Sequence, residues 1–393
     1  MLPAPAPAAL RTVASLAAAA LLAFAGAGCG DDDSPVEVQL KEETAKQTVL
    51  GFPAVATKNT TRVGGEDPLA DAAGAASAVY PGVTRGSRPR AVTLVDSRDW
   101  RAGIAAAVLT APPLRAPILL TNGEDMPEAT STALDSLRPT GARALRGAQA
   151  VEVGGARAPD SLRARRVGGK DAFTLAAAID ALATDVGGRP SQNVLIVSRE
   201  DPSFAMPAAA WAAKSGDAVL FTERGQLPRA TRRAIRKHER PGIYVLGPPD
   251  VVSERVERQL RNLGRVRRIA GRGPVENAVA FARYANATFG WGLRDPGHGM
   301  VVANMERTQD AAAGAILSSS GKYGPLLLVD DADVLPRSLE SFLQDIQPGY
   351  RFDPVRGVYN HAWVMGDESA VSVELQARID ELSEIVRIRD EDL

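Results

Sequence analysis

Arg62-Val63-Gly64-Gly65, Arg166-Val167-Gly168-Gly169 and Arg268-Ile269-Ala270-Gly271 are three copies of one stretch, standing at nearly equal spacing along the chain. An apolar run with helical spacing follows each copy: Leu69 to Ala73, Phe173 to Ala178 and Val275 to Val279. One such tetrapeptide says little, because short strands often end in glycine turns. Three evenly spaced copies make the chain a repeat, and that has to be settled before any fold is proposed.

The rest of the unit recurs with them. A β-branched run follows in each copy, at Ala91 to Val95, Val194 to Val197 and Met300 to Ala303. Alanine-rich helical segments come next, at Ile104 to Leu109, Ala208 to Ala213 and Ala311 to Leu317. Then come second apolar runs (Pro117 to Thr121, Ala218 to Thr222, Pro325 to Val329) and, at the same offset from each, Pro127, Pro228 and Pro336. Behind these prolines lie helices predicted at Ala129 to Leu137, Ala230 to Lys237 and Ser338 to Ile346. Third apolar runs end the units at Ala150 to Val153, Ile243 to Leu246 and Ala362 to Met365. Short continuous apolar runs alternating with helices are the pattern of buried parallel strands in βαβ crossovers. The fold class expected is therefore α/β, with three tandem Rossmann-like or flavodoxin-like units, each a small parallel sheet flanked by helices.

The chain has 393 residues. Three units of about 100 residues each fit the usual size of domains. The 46 basic and 47 acidic side chains nearly cancel, so there is no basic footprint for nucleic acid. Residues 1–28 read as a signal peptide. Arg11 is the only charged side chain before Asp31. Val13 to Phe24 form an apolar stretch too short to span a bilayer. Small residues Ala25 to Gly28 precede Cys29, the sole cysteine. This arrangement resembles a bacterial lipobox, with Gly26 where a larger aliphatic residue is usual. It implies lipidation of Cys29 and a protein held on the outer face of the cell membrane, facing the wall. Without other cysteines the units cannot rely on internal disulfides. Residues 29–59, opening with Gly30-Asp31-Asp32-Asp33 after Cys29, read as a flexible tether.

The expected units are 60–164, 165–264 and 265–393. Gly154 stands much closer to Arg166 than Gly247 does to Arg268, so unit 1 should lack the last helix of unit 2. That helix carries Val252, Val256 and Leu260 on one stripe. In unit 3 the stretch Ala370 to Val386 reads as a helix from Val371, Leu375, Ile379, Leu382 and Ile385. Unit 3 also has two long excursions, Gly290 to Gly299 and Gly349 to His361, whose Trp, Tyr, Arg and His suit recognition. The second helix of unit 2 is strongly basic, with Arg229, Arg232, Arg233, Arg236, Lys237 and Arg240. It is either a solvated face or an anion site.

These repeats resemble the cell wall-binding repeat 2 family, found in triplicate in surface proteins of Gram-positive bacteria. The family unit opens on an Arg-Ile-Ser-Gly pattern and has a Pro-Ile-Leu-Leu-Thr strand, matched in full by Pro117 to Thr121 and closely by Gly324 to Leu328. The resemblance runs from about Thr60 to the C-terminus. It implies three packed α/β units forming a pseudo-trimer, no catalysis and no cofactor. The implied partner is an anionic cell-wall glycopolymer. Several family polar positions are changed: the family threonine falls on Asp71, Leu175 and Asn277, and its aspartate survives only as Asp310, against Ala102 and Phe204. The polymer-binding residues implied are Arg62, Arg166, Arg268 and Asp310. The residues themselves add Arg232, Arg233 and Arg236, which should share one groove with Arg166 and Arg268.

Catalytic patterns are weak. His238, His298 and His361 lack zinc spacing and read as surface or loop histidines. No Gly-x-Gly-x-x-Gly follows a strand, and Gly314 to Lys322 has the wrong length for a phosphate loop. Ser319-Ser320-Gly321-Lys322 is formally Ser-x-x-Lys, but it sits at a helix-to-strand loop.

Overall fold

The second glycine of the repeated motif explains why the motif recurs. A Cβ on Gly169 or Gly271 would come within 2.3 Å of the backbone nitrogen of Leu175 or Asn277. The helix after the motif is packed directly onto the turn, and only glycine leaves room for it. The computed structural model describes residues 56–320 and 324–388. The signal peptide, Cys29 and nearly all of the tether read from the sequence lie outside the described residues.

From the N-terminal side the elements are β1 (Thr60–Val63), α1 (Pro68–Val79), β2 (Val92–Asp96), α2 (Trp100–Ala106), β3 (Ile118–Thr121), α3 (Glu128–Leu137) and β4 (Ala150–Val153). The second stretch holds β5 (Ala164–Val167), α4 (Ala172–Gly187), β6 (Asn193–Ser198), α5 (Pro202–Ser215), β7 (Ala218–Thr222), α6 (Arg229–Arg236), β8 (Gly242–Leu246) and α7 (Glu254–Arg261). The third holds β9 (Arg265–Ile269), α8 (Pro274–Arg283), β10 (Gly299–Asn304), α9 (Asp310–Ala313), α10 (Ala315–Ser319), β11 (Leu326–Val329) and α11 (Arg337–Asp345). It ends with β12 (Gly349–Tyr350), β13 (His361–Met365), α12 (Val373–Ser383) and β14 (Val386–Arg387). The apolar runs are strands and the alanine-rich segments are helices, as the pattern predicts. Between β4 and β5 there is no helix, so unit 1 lacks the counterpart of α7 and α12.

Three four-stranded parallel sheets have the orders β3-β2-β4-β5, β7-β6-β8-β9 and β1-β13-β10-β11. The sheets are out of phase with the sequence repeat. Each opening strand leaves its own unit and becomes the edge of the preceding one: β5 pairs with β4, and β9 with β8. The first described strand pairs instead with the last unit, placing Arg62 opposite Val364 and Val63 opposite Met365. The chain therefore closes on itself through the β1–β13 ladder. Arg62, Arg166 and Arg268 take matching register positions opposite Val364, Glu152 and Val245. Boundaries drawn just before Arg165 and Arg265 cut an edge strand away from its sheet, because the strand pairs backward while its motif belongs to the helix ahead.

The core follows from alanine. Helix α2 packs on α5 and α9, and α5 on α9 and α10. A Cβ on Gly103 would stand 2.8 Å from that of Ala312. Backbones this close admit only small side chains. One contiguous apolar cluster spans all three sheets, from Val63 to Leu382. A smaller cluster lies in unit 1 between α3 and the sheet, with Leu94, Leu119 and Leu137.

His238 is a correction to the sequence reading. It is buried, not a surface histidine: its Nε2 lies 3.0 Å from Asp180 of α4, and its Nδ1 faces the Ser191 carbonyl at 2.9 Å. Trp291, in an excursion read as a recognition loop, packs inward edge-on to Trp211 with centroids 5.3 Å apart. The nearby Phe289 stacks on Tyr244 at 3.5 Å. That loop clamps unit 3 to unit 2.

Closure gives a direct test. Arg62 is 4% exposed, and its guanidinium donates to the carbonyls of Gly366, Asp367 and Val371 at 2.9, 2.8 and 2.6 Å and to Gln376 Oε1 at 2.9 Å. Truncation strands several buried acceptors. Arg62→Ala is expected to cost about 3 kcal/mol. Arg166→Ala, at an exposed matching position, should cost less than about 0.5 kcal/mol. Denaturant melts compare them, and equal losses would show that the β1 closure is not under special load.

Candidate functional site

The repeated arginines fare differently because different things cover them. Burial lowers the pKa of Arg62 despite Glu368, Asp367 and Asp71 nearby. Arg268 lies under α7, where its guanidinium meets Glu257 at 2.8 Å and the carbonyls of Gly247 and Val252 at 2.6 and 2.8 Å. Arg166 has no helix above it and is exposed. Arg62 and Arg268 thus cap carbonyls within the fold, a role that leaves them no free donor face for a polymer. Of the three, Arg166 alone offers its charge to solvent.

Asp310 is also placed unexpectedly. It is fully buried at the junction of units 1 and 3, beside Asp71 of α1 and Arg307. Arg307 Nε donates to Asp310 Oδ2 at 3.0 Å, and its Nη2 bonds Asp71. Asp71 Oδ1 accepts the Gly65 N–H at 2.6 Å, which ties the opening turn to the junction. Asp367 stands 3.6 Å from Arg307 at the cluster's outer edge. Desolvation first, then the Asp310 charge, pushes the Asp71 pKa well up against the opposing pull of Arg307. Desolvation also raises Asp310, with Arg307 opposing it. The two carboxyls meet the same guanidinium, and Asp310 Oδ1 is buried without a hydrogen-bond partner, so a proton shared between them relieves the repulsion of two buried carboxylates. For Arg307, three carboxylates outweigh desolvation and raise its pKa. At the other junctions Leu175 and Asn277 take the place of Asp71, and Ala102 and Phe204 that of Asp310. The signal for this cluster was in the sequence as the Asp71 departure from the family threonine. Its pairing with Arg307 was not, because 236 residues separate them.

The basic face of α6 stands apart. Arg233 and Arg236 are exposed, as are Arg229, Lys237 and Arg240, whereas Arg232 is half-buried and reaches Gln259 of α7 at 3.5 Å. Helix α6 flanks β7, while Arg166 lies on the edge of a different sheet, and Arg268 is held under α7. The single groove expected to join Arg166, Arg268 and the α6 arginines is not formed. Successive motifs go to successive sheets, which separates Arg166 from Arg268; Arg268 shares a sheet with β7 but is covered by α7, away from the exposed α6 arginines. Ser319 Oγ donates to the Ile316 carbonyl at 3.1 Å, while Lys322 lies outside the described residues. Among the described residues no cluster of His, Cys, Asp and Glu could hold a metal ion, and no helix is long and apolar enough to cross a membrane.

Residues 166–257 match the model of the cell wall binding domain 2 (CWB2). The match covers the segment from the end of β5 through the first half of α7, including the whole α6 face. Two solved structures share the fold over 83% of this chain: Cwp6 from Clostridium difficile, with a TM-score of 0.65 and 16% identity, and Cwp8 from the same organism, with 0.63 and 18%. This chain spans 48% and 52% of those proteins, about half their length. The amidase enhancer of Bacillus subtilis is 32% identical over 91 residues, which are 23% of this chain and 13% of that protein. The resemblance to the cell wall-binding repeat 2 family, read from the repeats, therefore has independent support, and the α/β units share the fold of the Cwp structures.

The buried pair makes a pH prediction. Both carboxyl pKa values are raised, so the folded cluster keeps a proton that the unfolded chain releases. Its stabilising contribution is full below the ordinary carboxylate pKa near 4 and is lost as pH rises through the raised folded values, about 1.4 kcal/mol per pKa unit. Asp310→Asn supplies an amide N–H where the shared proton lies. Its melting temperature should equal that of the parent near pH 4 and exceed it increasingly toward pH 8. Parallel pH profiles for the two proteins would exclude the shared proton.

Proposed function

We propose that this is a non-catalytic cell-envelope protein that binds an anionic cell-wall polymer, chiefly through the exposed α6 arginines. The observation that carries the reading is the cell wall binding domain match over 166–257, the segment that contains α6. Permanently charged, planar guanidinium groups spaced along one helix suit the phosphates or carboxylates of a polymer. Arg233 and Arg236 provide the contact, with Arg229, Lys237 and Arg240 beside them and Arg166 as a separate exposed charge. Arg232, Arg62, Arg268 and Asp310 support the fold. The envelope location follows from the same match. The lipid anchor at Cys29 rests on the sequence pattern of residues 13–29.

Arg233→Ala/Arg236→Ala should weaken co-sedimentation with purified wall tenfold, about 1.4 kcal/mol. Parent binding should fall with salt, since exposed charges are screened beyond about 8 Å at physiological ionic strength. Unchanged, salt-independent binding by the double variant would overturn the electrostatic mechanism. Separately, Cys29→Ser is expected to move the protein from the membrane to the soluble fraction with its melting temperature unchanged; retention on the membrane would refute the anchor.

A second reading, a scaffold that binds another protein, is favoured by one exposed apolar loop of unit 3. Phe352 and Val355 there are 98% and 89% exposed.

A further inference from the structure

Unit 1 differs from its sisters in two places that border one cavity. The first is the missing helix, which leaves the flank of α3 bare. In unit 2 that flank is covered by α7, with Gln259 on Arg232 at 3.5 Å, and in unit 3 by α12, with Arg378 on Glu340 at 2.7 Å. Counting from Pro127, Pro228 and Pro336, the matching residue of α3 is Ser131. It borders a cavity of about 800 Å³. The second is the loop between α1 and β2, whose counterpart in unit 2 runs only from Gly188 to Gln192. It brings Arg85 and Arg88 to the same cavity.

This loop is fixed on the end of α3. Gly82 has φ +68°, and a Cβ there would stand 2.1 Å from the Ser136 carbonyl oxygen, so only glycine fits. The Gly82 carbonyl then accepts from two guanidinium groups at once, Arg88 Nε at 3.3 Å and Arg138 Nη2 at 3.0 Å. One oxygen thus holds two like charges side by side, against their repulsion. Arg138 is the C-cap of α3, where a cation suits the helix dipole; Arg88 has no such reason to be there. Neither of them, nor Arg85, ion-pairs with a carboxylate among the described residues, and each guanidinium keeps donors that the carbonyl does not use. Asp135 also lines the cavity, but three arginines against one aspartate leave the lining cationic. Its apolar wall is Leu134, Leu162 and Pro159, and both leucines pack on the smaller core cluster.

Paired guanidinium groups suit the oxygens of one carboxylate or phosphate, and the apolar wall beside them suits an aliphatic body. The volume is that of a small-molecule site. A wholly polar anion would leave the leucines unused, and an uncharged amphiphile would leave the guanidinium pair unmatched. We propose that unit 1 binds a small amphipathic anion, an aliphatic body carrying one carboxylate or phosphate. The head lies between Arg88 and Arg138, and the body runs along Leu134 and Leu162. The site shares no residue with the α6 arginines and does not depend on polymer binding there. A free amphiphile and a membrane lipid share this chemistry, and vesicles separate them.

Isothermal titration calorimetry of the full chain tests the site with octyl phosphate, octanoate, neutral octyl glucoside and inorganic phosphate, all as monomers. Octyl phosphate and octanoate are expected to bind at about 10–100 μM, with octyl glucoside and inorganic phosphate at least tenfold weaker. Arg88→Ala/Arg138→Ala should weaken octyl phosphate tenfold or more, whereas Arg233→Ala/Arg236→Ala should leave it unchanged. Because the first pair also ties down the loop, Arg85→Glu, at an exposed position, gives a second reading and should weaken it at least threefold with circular dichroism unchanged. Hydrogen exchange should show protection by octyl phosphate over residues 82–90 and 131–138. Capture on vesicles of phosphatidic acid in phosphatidylcholine, abolished by Arg88→Ala/Arg138→Ala, would assign the head to a lipid; binding of the monomers alone would assign it to a free amphiphile. Octyl glucoside binding as tightly as octyl phosphate, affinity unchanged in both arginine variants, or protection confined to other segments would overturn the proposal.

Discussion

The structure depends on a strand that leaves its own unit. Each repeat opens on an edge strand hydrogen-bonded to the sheet before it, so no unit is complete alone. At β1 this rule demands that the first strand pair with the last unit, and the Arg62 guanidinium fastens the join. Its donors satisfy the carbonyls of Gly366, Asp367 and Val371, which follow β13 and lead into α12. A buried guanidinium is tolerated only where its donors are matched, and here the matching acceptors come from the far end of the chain. Sequence-local tandem units thereby become one cooperative body.

The helical hub imposes the second constraint. Three alanine-rich helices meet at the centre, and the near contact of Gly103 with Ala312 shows how little volume is free there. With a hub of small residues, specificity between units must come from polar and aromatic features at the junctions. Units 1 and 3 use Asp71, Arg307 and Asp310; units 2 and 3 use the aromatic stack around Trp211 and Phe289. The junctions differ from one another while the sheets do not, since a parallel strand tolerates any aliphatic side chain, but a buried charge requires its own partner.

Inequality among the repeats also separates binding from architecture. A repeat arginine beneath a helix serves the fold, as Arg62 and Arg268 do, and the same arginine without a helix is a free surface charge, as at Arg166. The strongly basic α6 is peculiar to unit 2; α3 and α11 at its matching places carry Glu128 and Asp135, or Glu340. The polymer contact proposed for α6 can therefore sit on one unit without drawing on the arginines that hold the fold together.

Sequence alone determined the α/β class, the three units, nearly every strand and helix, and the helix missing from unit 1. These are local matters: the periodicity of a helix, apolar runs of strand length, and a gap between Gly154 and Arg166 too short for a helix and two turns. The tertiary structure decided where each motif went. Nothing local in Arg62-Val63-Gly64-Gly65 shows that its strand pairs with a ladder at the opposite end of the chain, or that its arginine is buried while its twin Arg166 is exposed. Nor could spacing show that Asp310 faces Asp71 or that His238 is locked to Asp180, because those pairs are made by packing across elements. Repetition is written in the chain; which face of each repeat is covered depends on its neighbour, and only folding brings that neighbour into place.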